Sequence, residues 1–231
     1  MTTTALSCGN VDRAARPDAH GARWTDVGSR PGRQELDPVL AEATGRVVVH
    51  GTDADLAAVV LRLLRKDRLA GLEVGYVPAE PSPAARLWGV RPGDARHAFT
   101  ASARPAPLIR DDSGGVLLGT AAIEPITGQV YCDDERVLNG PAPRLEVSPD
   151  PAATPLPAGS DPPADPAADG LRVAVLRRGL LRRKRDTTAG RAAQASFDPT
   201  TVVQDGVAHP RPADKWVWYR HTQDLLLVRG S

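Results

Sequence analysis

Gly51-Thr52-Asp53-Ala54-Asp55 follows the apolar run Arg46–His50 and opens the amphipathic stretch Leu56–Leu64. Strand, tight glycine turn, then helix is the arrangement by which α/β folds aim backbone N–H groups at a phosphate. Here the turn holds one glycine and two carboxylates. Glycine permits positive φ and close backbone approach, and Thr52 and Ala54 restrict both. Asp53 and Asp55 suit a helix N-terminus, worth about 0.3–1 kcal/mol each, yet they repel an incoming phosphate unless Mg²⁺ bridges. Two readings stand side by side. One is retained nucleotide contact. The other is a self-capped helix start, with Thr52 as cap and Asp55 as the acidic member of a capping box.

Other residues invite chemistry more weakly. Asp205-Gly206 is a strong hairpin-turn signal. Asp111-Asp112-Ser113-Gly114-Gly115 has cation-loop composition, but turn chemistry accounts for it, and Asp133-Asp134-Glu135 reads as a solvated turn. Arg177, Arg178, Arg182, Arg183, Lys184 and Arg185 form the densest charge and could meet anionic headgroups, an acidic partner or nucleic acid. A solvated loop is the plainer reading. The five histidines show no ligand spacing, nor do Cys8 and Cys132, so no metal site is expected.

The elements that must position these residues fall into two groups. Residues 1–34 read as a poorly ordered arm, polar and broken by Pro17 and Pro31. Residues 35–93 form a small parallel α/β unit: a short helix over Leu36–Ala43, a strand over Arg46–His50, then a helix with Leu56, Val59, Val60, Leu63 and Leu64 on one stripe. A second strand follows over Leu72–Val77, then a proline-broken loop Pro78–Pro83 and a short helix from Ala84 ended by Gly89. Strand, helix, strand at this spacing implies a parallel crossover. Residues 104–231 carry short β-like runs at Val116–Ile123, Gln129–Asp133, Arg144–Ser148, Leu171–Leu176, Arg191–Phe197, Thr201–Gln204, Lys215–Arg220 and Leu225–Arg229. They predict a β-sandwich-like domain, with a proline-rich mobile loop over 149–169. Alternation puts Trp216 and Trp218 on its core face.

The 29 basic and 28 acidic residues leave a net charge of +1, which argues against a dedicated nucleic-acid binder. Two isolated thiols suit a reducing cytoplasm. No run approaches the roughly 20 apolar residues that span a bilayer, and Met1–Ala43 has no apolar core of a secretory signal. A cytoplasmic protein is expected, with peripheral membrane contact as a further option. Arginine and alanine usage leans towards a GC-rich bacterial source.

Three segments, in order, resemble the bacterial diacylglycerol kinase family of lipid kinases, relatives of NAD kinase. Gly51-Thr52-Asp53-Ala54-Asp55-Leu56 stands where that family has Gly-Gly-Asp-Gly-Thr before an apolar helix. Pro78-Ala79-Glu80-Pro81-Ser82-Pro83-Ala84-Ala85-Arg86, then Trp88-Gly89, stands where it has Pro-x-Gly-Thr-x-Asn-Asp-Phe-Ala-Arg before Leu-Gly. Asp205-Gly206-Val207 stands where it has Asp-Gly-Glu, whose glutamate is the family's proposed general base. Upstream, Asp169-Gly170-Leu171-Arg172 is similar to its Asp-Gly-x-Leu-Asp strand entry.

The resemblance implies a nucleotide loop at Gly51, Thr52, Asp53, Asp55, Glu80 and Ser82, with ATP and Mg²⁺ as cofactors if activity is retained. Each loop departs from the family pattern. Pro81 and Pro83 remove donors, Glu80 adds negative charge, and Val207 cannot take a proton from a lipid hydroxyl. Positioning and charge neutralisation, on which phosphoryl transfer depends, are both weakened. The expectation is therefore a lipid-kinase-like protein with eroded loops, inactive or weakly active, that binds a nucleotide, lipid or partner. An active ATP-dependent lipid kinase is the first alternative, with Asp53 helping to hold Mg²⁺. The second is an interaction module that uses Arg177–Arg185 on an anionic surface.

Overall fold

The computed structural model describes residues 2–9, 16–156, 169–178 and 183–230. The chain divides into two compact units, Met1–Ala106 with Gln223–Ser231, and Pro107–Thr222.

The first unit runs β1 (Thr3–Cys8), β2 (Trp24–Val27), α1 (Arg33–Ala41), β3 (Gly45–Gly51), α2 (Asp53–Arg65), β4 (Leu72–Pro78), α3 (Pro83–Leu87), α4 (Ala95–Thr100) and β5 (Ala103–Ala106). The far end of the chain returns to it as β18 (Leu225–Val228). Among the described residues these strands form one sheet in the order β2-β1-β3-β4-β18-β5, parallel except for the β18–β5 pair. Strands buried on both faces read as unbroken apolar runs, and Val47, Val48 and Val49 of β3 are all fully buried. On one face α2 lays down Leu56, Val59, Val60 and Leu63, each fully buried, worth about 1.5–3 kcal/mol apiece. On the other face α4 sits close to β4 because Gly75 has no side chain. A Cβ there would lie 2.5 Å from the Ala98 carbonyl oxygen.

The second unit is all β: β6 (Ile109–Asp111), β7 (Val116–Leu117), β8 (Ala121–Ile123), β9 (Ile126–Cys132), β10 (Glu135–Ala142), β11 (Arg144–Pro149), β12 (Leu171–Arg178), β13 (Arg183–Gly190), β14 (Ala192–Thr200), β15 (Val202–Gln204), β16 (Val207–Ala208) and β17 (Ala213–Arg220). Its described strands make two antiparallel sheets, β10-β9-β14-β17-β6-β7 and β13-β12-β11-β8-β15-β16. Both contribute to a single core, with Val130, Ala195 and Trp218 from the first meeting Leu145, Val173 and Val175 from the second. Trp216 and Trp218 are buried while Val217 and Tyr219 are half-buried, as strand alternation predicts.

Two expectations need correction. The arm of residues 1–34 is not shapeless where it is described: β1 and β2 lie in it, and β1 pairs with β3 from Thr3 to Ser7. Its Thr and Ser residues hide an interior strand that only tertiary pairing with β3 makes stable. The β domain also does not run from 104 to 231. β5 and β18 leave it for the first sheet, where Leu227 pairs with Val74. A four-residue apolar strand carries no local mark of which sheet it will join. Of the proline-rich stretch 149–169, residues 157–168 lie outside the described residues.

Candidate functional site

At the carboxyl end of β3 the chain turns through Gly51 into α2. Thr52 is extended, with φ −89° and ψ 170°, and caps the helix. Its hydroxyl oxygen accepts from the Asp55 N–H at 3.3 Å, while Asp55 Oδ2 accepts from the Thr52 N–H at 2.8 Å. This is the reciprocal capping box that the Thr-x-x-Asp spacing predicts. The other oxygen of Asp55 accepts from the Arg30 N–H at 2.6 Å, in the loop between β2 and α1. Gly51 is required for a local reason. A Cβ there would meet Asp55 Oδ2 at 2.6 Å and Cys8 Cβ at 3.1 Å.

Asp53, one residue into α2, is 4% exposed. Its Oδ1 accepts from the Tyr76 hydroxyl at 2.8 Å and from the Ser82 hydroxyl at 2.6 Å, and its Oδ2 accepts from the Ala84 N–H at 3.0 Å. Ser82 in turn caps α3, accepting from the Ala85 N–H at 3.1 Å, with Pro83 at the first helical position. That position suits proline because its missing donor is not needed there. The Ala79 N–H donates to the Gly51 carbonyl at 2.9 Å, closing the second loop against the first. Glu80, between them, is exposed.

A third carboxylate extends the pattern. Glu35 of α1 accepts from the Gly28 N–H at 2.6 Å and from the Gly32 N–H at 3.2 Å. The loops at the carboxyl ends of β2, β3 and β4 are thus laced together by Glu35, Asp55 and Asp53. Their carboxylates take up the N–H groups of Gly28, Arg30, Gly32, Thr52 and Ala84. The structure brings Gly51, Thr52, Asp53, Asp55 and Ser82 into one hydrogen-bonded cluster. Sequence reading missed Glu35 and Tyr76, which reach it across loops. Glu35 lies three residues beyond Gly32, a capping-box spacing that could have been noticed. Cys8 lies beneath the cluster, its thiol pushed up by burial and by the nearby charges of Asp55 and Glu35.

Asp205 and Gly206 lie in the second unit. Both have positive φ, 46° and 82°, forming the two-residue turn that joins β15 to β16 with Gln204 opposite Val207. The turn is more than a connection. The Asp205 carboxylate, 5% exposed, accepts from the Leu118 N–H at 2.9 Å and the Gly119 N–H at 2.7 Å. Beside it, Gln204 links the buried Asp111 to the Trp218 indole at 2.7 and 2.6 Å. Asp111 also accepts from Ser113 and from the Gly115 N–H, which makes that acidic stretch a braced turn. Asp133 is likewise a turn residue, with φ 48°, and accepts from the Arg191 and Ala192 N–H groups.

Of the basic cluster, Arg177 donates to Asp186 at 3.1 Å and to the Val137 carbonyl at 3.0 Å. Lys184 pairs with Asp186 at 3.0 Å and Arg185 with Glu146 at 2.8 Å. The Lys184 hydrogen bond, then that of Arg177, holds the Asp186 carboxyl below its usual range. Arg182 and the side chains of Arg178 and Arg183 lie outside the described residues. Among the described residues no group of three or more His, Cys, Asp and Glu side chains could hold a metal ion. No described helix is long and apolar enough to cross a membrane.

No protein-family model and no curated protein matches the chain. Solved structures do. A diacylglycerol kinase from Bacillus anthracis str. Sterne is similar with a TM-score of 0.59 at 11% identity, over 98% of this chain and 97% of that one. An NAD kinase from Archaeoglobus fulgidus, crystallised in complex with ATP, is similar with a TM-score of 0.54 at 12% identity, over 99% and 94%. At such identities the likeness concerns the fold, and it runs nearly end to end. A parallel α/β unit that the chain leaves for an antiparallel β unit and then re-enters is therefore the fold this protein shares with diacylglycerol kinases and NAD kinases.

Proposed function

We propose that this chain is a diacylglycerol-kinase-like protein whose nucleotide loops have become internal braces, inactive or weakly active in phosphoryl transfer and retained to bind a ligand or partner. The observation that carries the reading is the hydrogen bonding of Asp53, Asp55 and Glu35. A phosphate loop works by offering free backbone N–H groups to an anion. Here the chain's own carboxylates already accept from Gly28, Arg30, Gly32, Thr52 and Ala84. The residues do not fit Mg²⁺-ATP in this arrangement. Asp53 is surrounded by three donors and has little left to offer a cation, and the second loop is anchored through it. Val207 at the hairpin supports the same reading, because a general base typically contributes about 10²–10⁴-fold.

Thermal unfolding with ATP, ADP and NAD, each with and without Mg²⁺, tests the proposal alongside transfer of labelled γ-phosphate to a lipid extract. The expected result is no Mg²⁺-dependent stabilisation by ATP and no labelled lipid. Saturable Mg²⁺-dependent ATP binding accompanied by lipid phosphorylation would overturn it and establish the active-kinase alternative. The anionic-surface alternative draws no support from the described side chains of the basic cluster, Arg177, Lys184 and Arg185, which are paired with Asp186 and Glu146.

A further inference from the structure

The face of the first sheet away from α2 holds a second polar group. Ser7 of β1 stands in register with His50 of β3 on one side and Asp26 of β2 on the other. The next residues along, Cys8 and Gly51, meet Asp55 on the α2 side, so alternation puts the Ser7 row on the opposite face. There Trp24 packs on His50 and on Phe99 of α4, each at 5.6 Å between ring centroids. The Trp24 indole N–H donates to the Pro17 carbonyl at 3.0 Å. That contact brings the preceding residue, Arg16, to Asp26, with which it forms an ion pair.

Ser7 is 0% and His50 4% exposed, yet Ser7 Oγ, His50 Nδ1 and Arg16 Nε have no hydrogen-bond partner among the described residues. Buried polar atoms are overwhelmingly paired in native proteins, and an unpaired one costs about 1–3 kcal/mol. Here Ser7 and His50 bring two of them to neighbouring in-register positions, and Arg16 brings the third to Asp26, on the other side of Ser7. The hydroxyl and the guanidinium N–H donate, and the imidazole donates when Nδ1 carries the proton. Asp26, the carboxylate of the row, is held by Arg16. Burial and then the Arg16 charge hold the His50 imidazole below its usual basicity, and a negative group bound among them would offset both effects. The carboxyl ends of strands are also where open α/β sheets receive ligands.

We propose that Arg16, Ser7 and His50 form a binding site for a phosphate group on the α4-covered face of the first sheet. The site uses no residue of the Gly51 turn and does not rest on the function proposed above. Three buried donors along one row of the sheet, one of them permanently charged, suit the acceptor-only surface of such a group.

Isotope-labelled protein is titrated with inorganic phosphate, and separately with glycerol phosphate, at fixed pH and ionic strength, following the His50 ring nitrogens by NMR. Phosphate should move the Nδ1 resonance saturably. Arg16→Gln should weaken binding by about tenfold or more, the loss expected for a charge-assisted hydrogen bond, and Ser7→Ala several-fold, with the amide spectrum of the sheet unchanged. A response to both compounds assigns the site to phosphate groups carried on larger molecules, and a response to inorganic phosphate alone assigns it to the free anion. Either supports the proposal. The absence of a saturable shift in the unaltered protein, or equal affinity in Arg16→Gln, would overturn it.

Discussion

If Asp53 is a brace, removing it should cost stability whether or not a nucleotide is present. Its carboxylate receives three hydrogen bonds, at 2.6, 2.8 and 3.0 Å, in a nearly closed environment. Bonds to a charged group contribute about 1.5–3 kcal/mol each, but the three are not fully lost in Asp53→Ala. The Tyr76 hydroxyl already lies 3.3 Å from the Gly51 carbonyl and can turn to it, and the Ser82 hydroxyl still caps α3. The Ala84 N–H is left buried without an acceptor, at about 1–3 kcal/mol, and the helix N-terminus loses about 0.3–1 kcal/mol of dipole interaction. The expected loss is about 1–4 kcal/mol, a sizeable share of the roughly 5–15 kcal/mol that holds a typical domain together. Asp53→Asn keeps one acceptor oxygen and should lose about 1–3 kcal/mol. Urea unfolding at neutral pH without nucleotide measures both. A loss below about 1 kcal/mol in Asp53→Ala would refute the reasoning, because it would mean that the carboxylate is kept for something other than the fold.

Two further outcomes follow from the second unit. Asp205→Ala removes the carboxylate that accepts from the Leu118 and Gly119 N–H groups and puts alanine at φ 46°. A loss of about 2–4 kcal/mol in urea unfolding is expected, with Asp205→Asn losing less because asparagine tolerates that conformation. Burial, then Asp133, Asp169 and Glu135, raises the Cys132 thiol from 9.0 to about 12. The folded state therefore holds a proton that the unfolded chain releases above about pH 9. That contribution is fully present below about pH 9 and is lost progressively as the pH rises towards about 12. Thermal midpoints should fall across this range, and less steeply in Cys132→Ala.

The parts of this fold legible in the sequence are those with a local period or a short-range partner. Val47–Val49 and the stripe Leu56, Val59, Val60, Leu63 announced β3 and α2. Thr52 and Asp55 announced their own capping box, and Asp205-Gly206 its hairpin. The meaning of the carboxylates was only half legible. Their charge suggested repulsion of a phosphate, whereas the structure shows them spent on Arg30, Tyr76, Ser82 and Ala84, between 23 and 31 residues away. Hydrogen bonds across loops leave no periodic trace, so neither Tyr76 nor Glu35 stood out. Strand β1 was hidden for a related reason. Ser7 is polar and entirely buried, a combination that pattern reading assigns to the surface.

The place of β18 has a consequence for how the molecule is made. It inserts between β4 and β5, so the first sheet must wait for residues synthesised after the entire second unit. Until Leu225–Val228 emerge, β4 presents an apolar, unpaired border, a template for wrong partners. Ribosome-bound chains that stop short of this strand are thus the species most exposed to clumping, and a chaperone would find its target there.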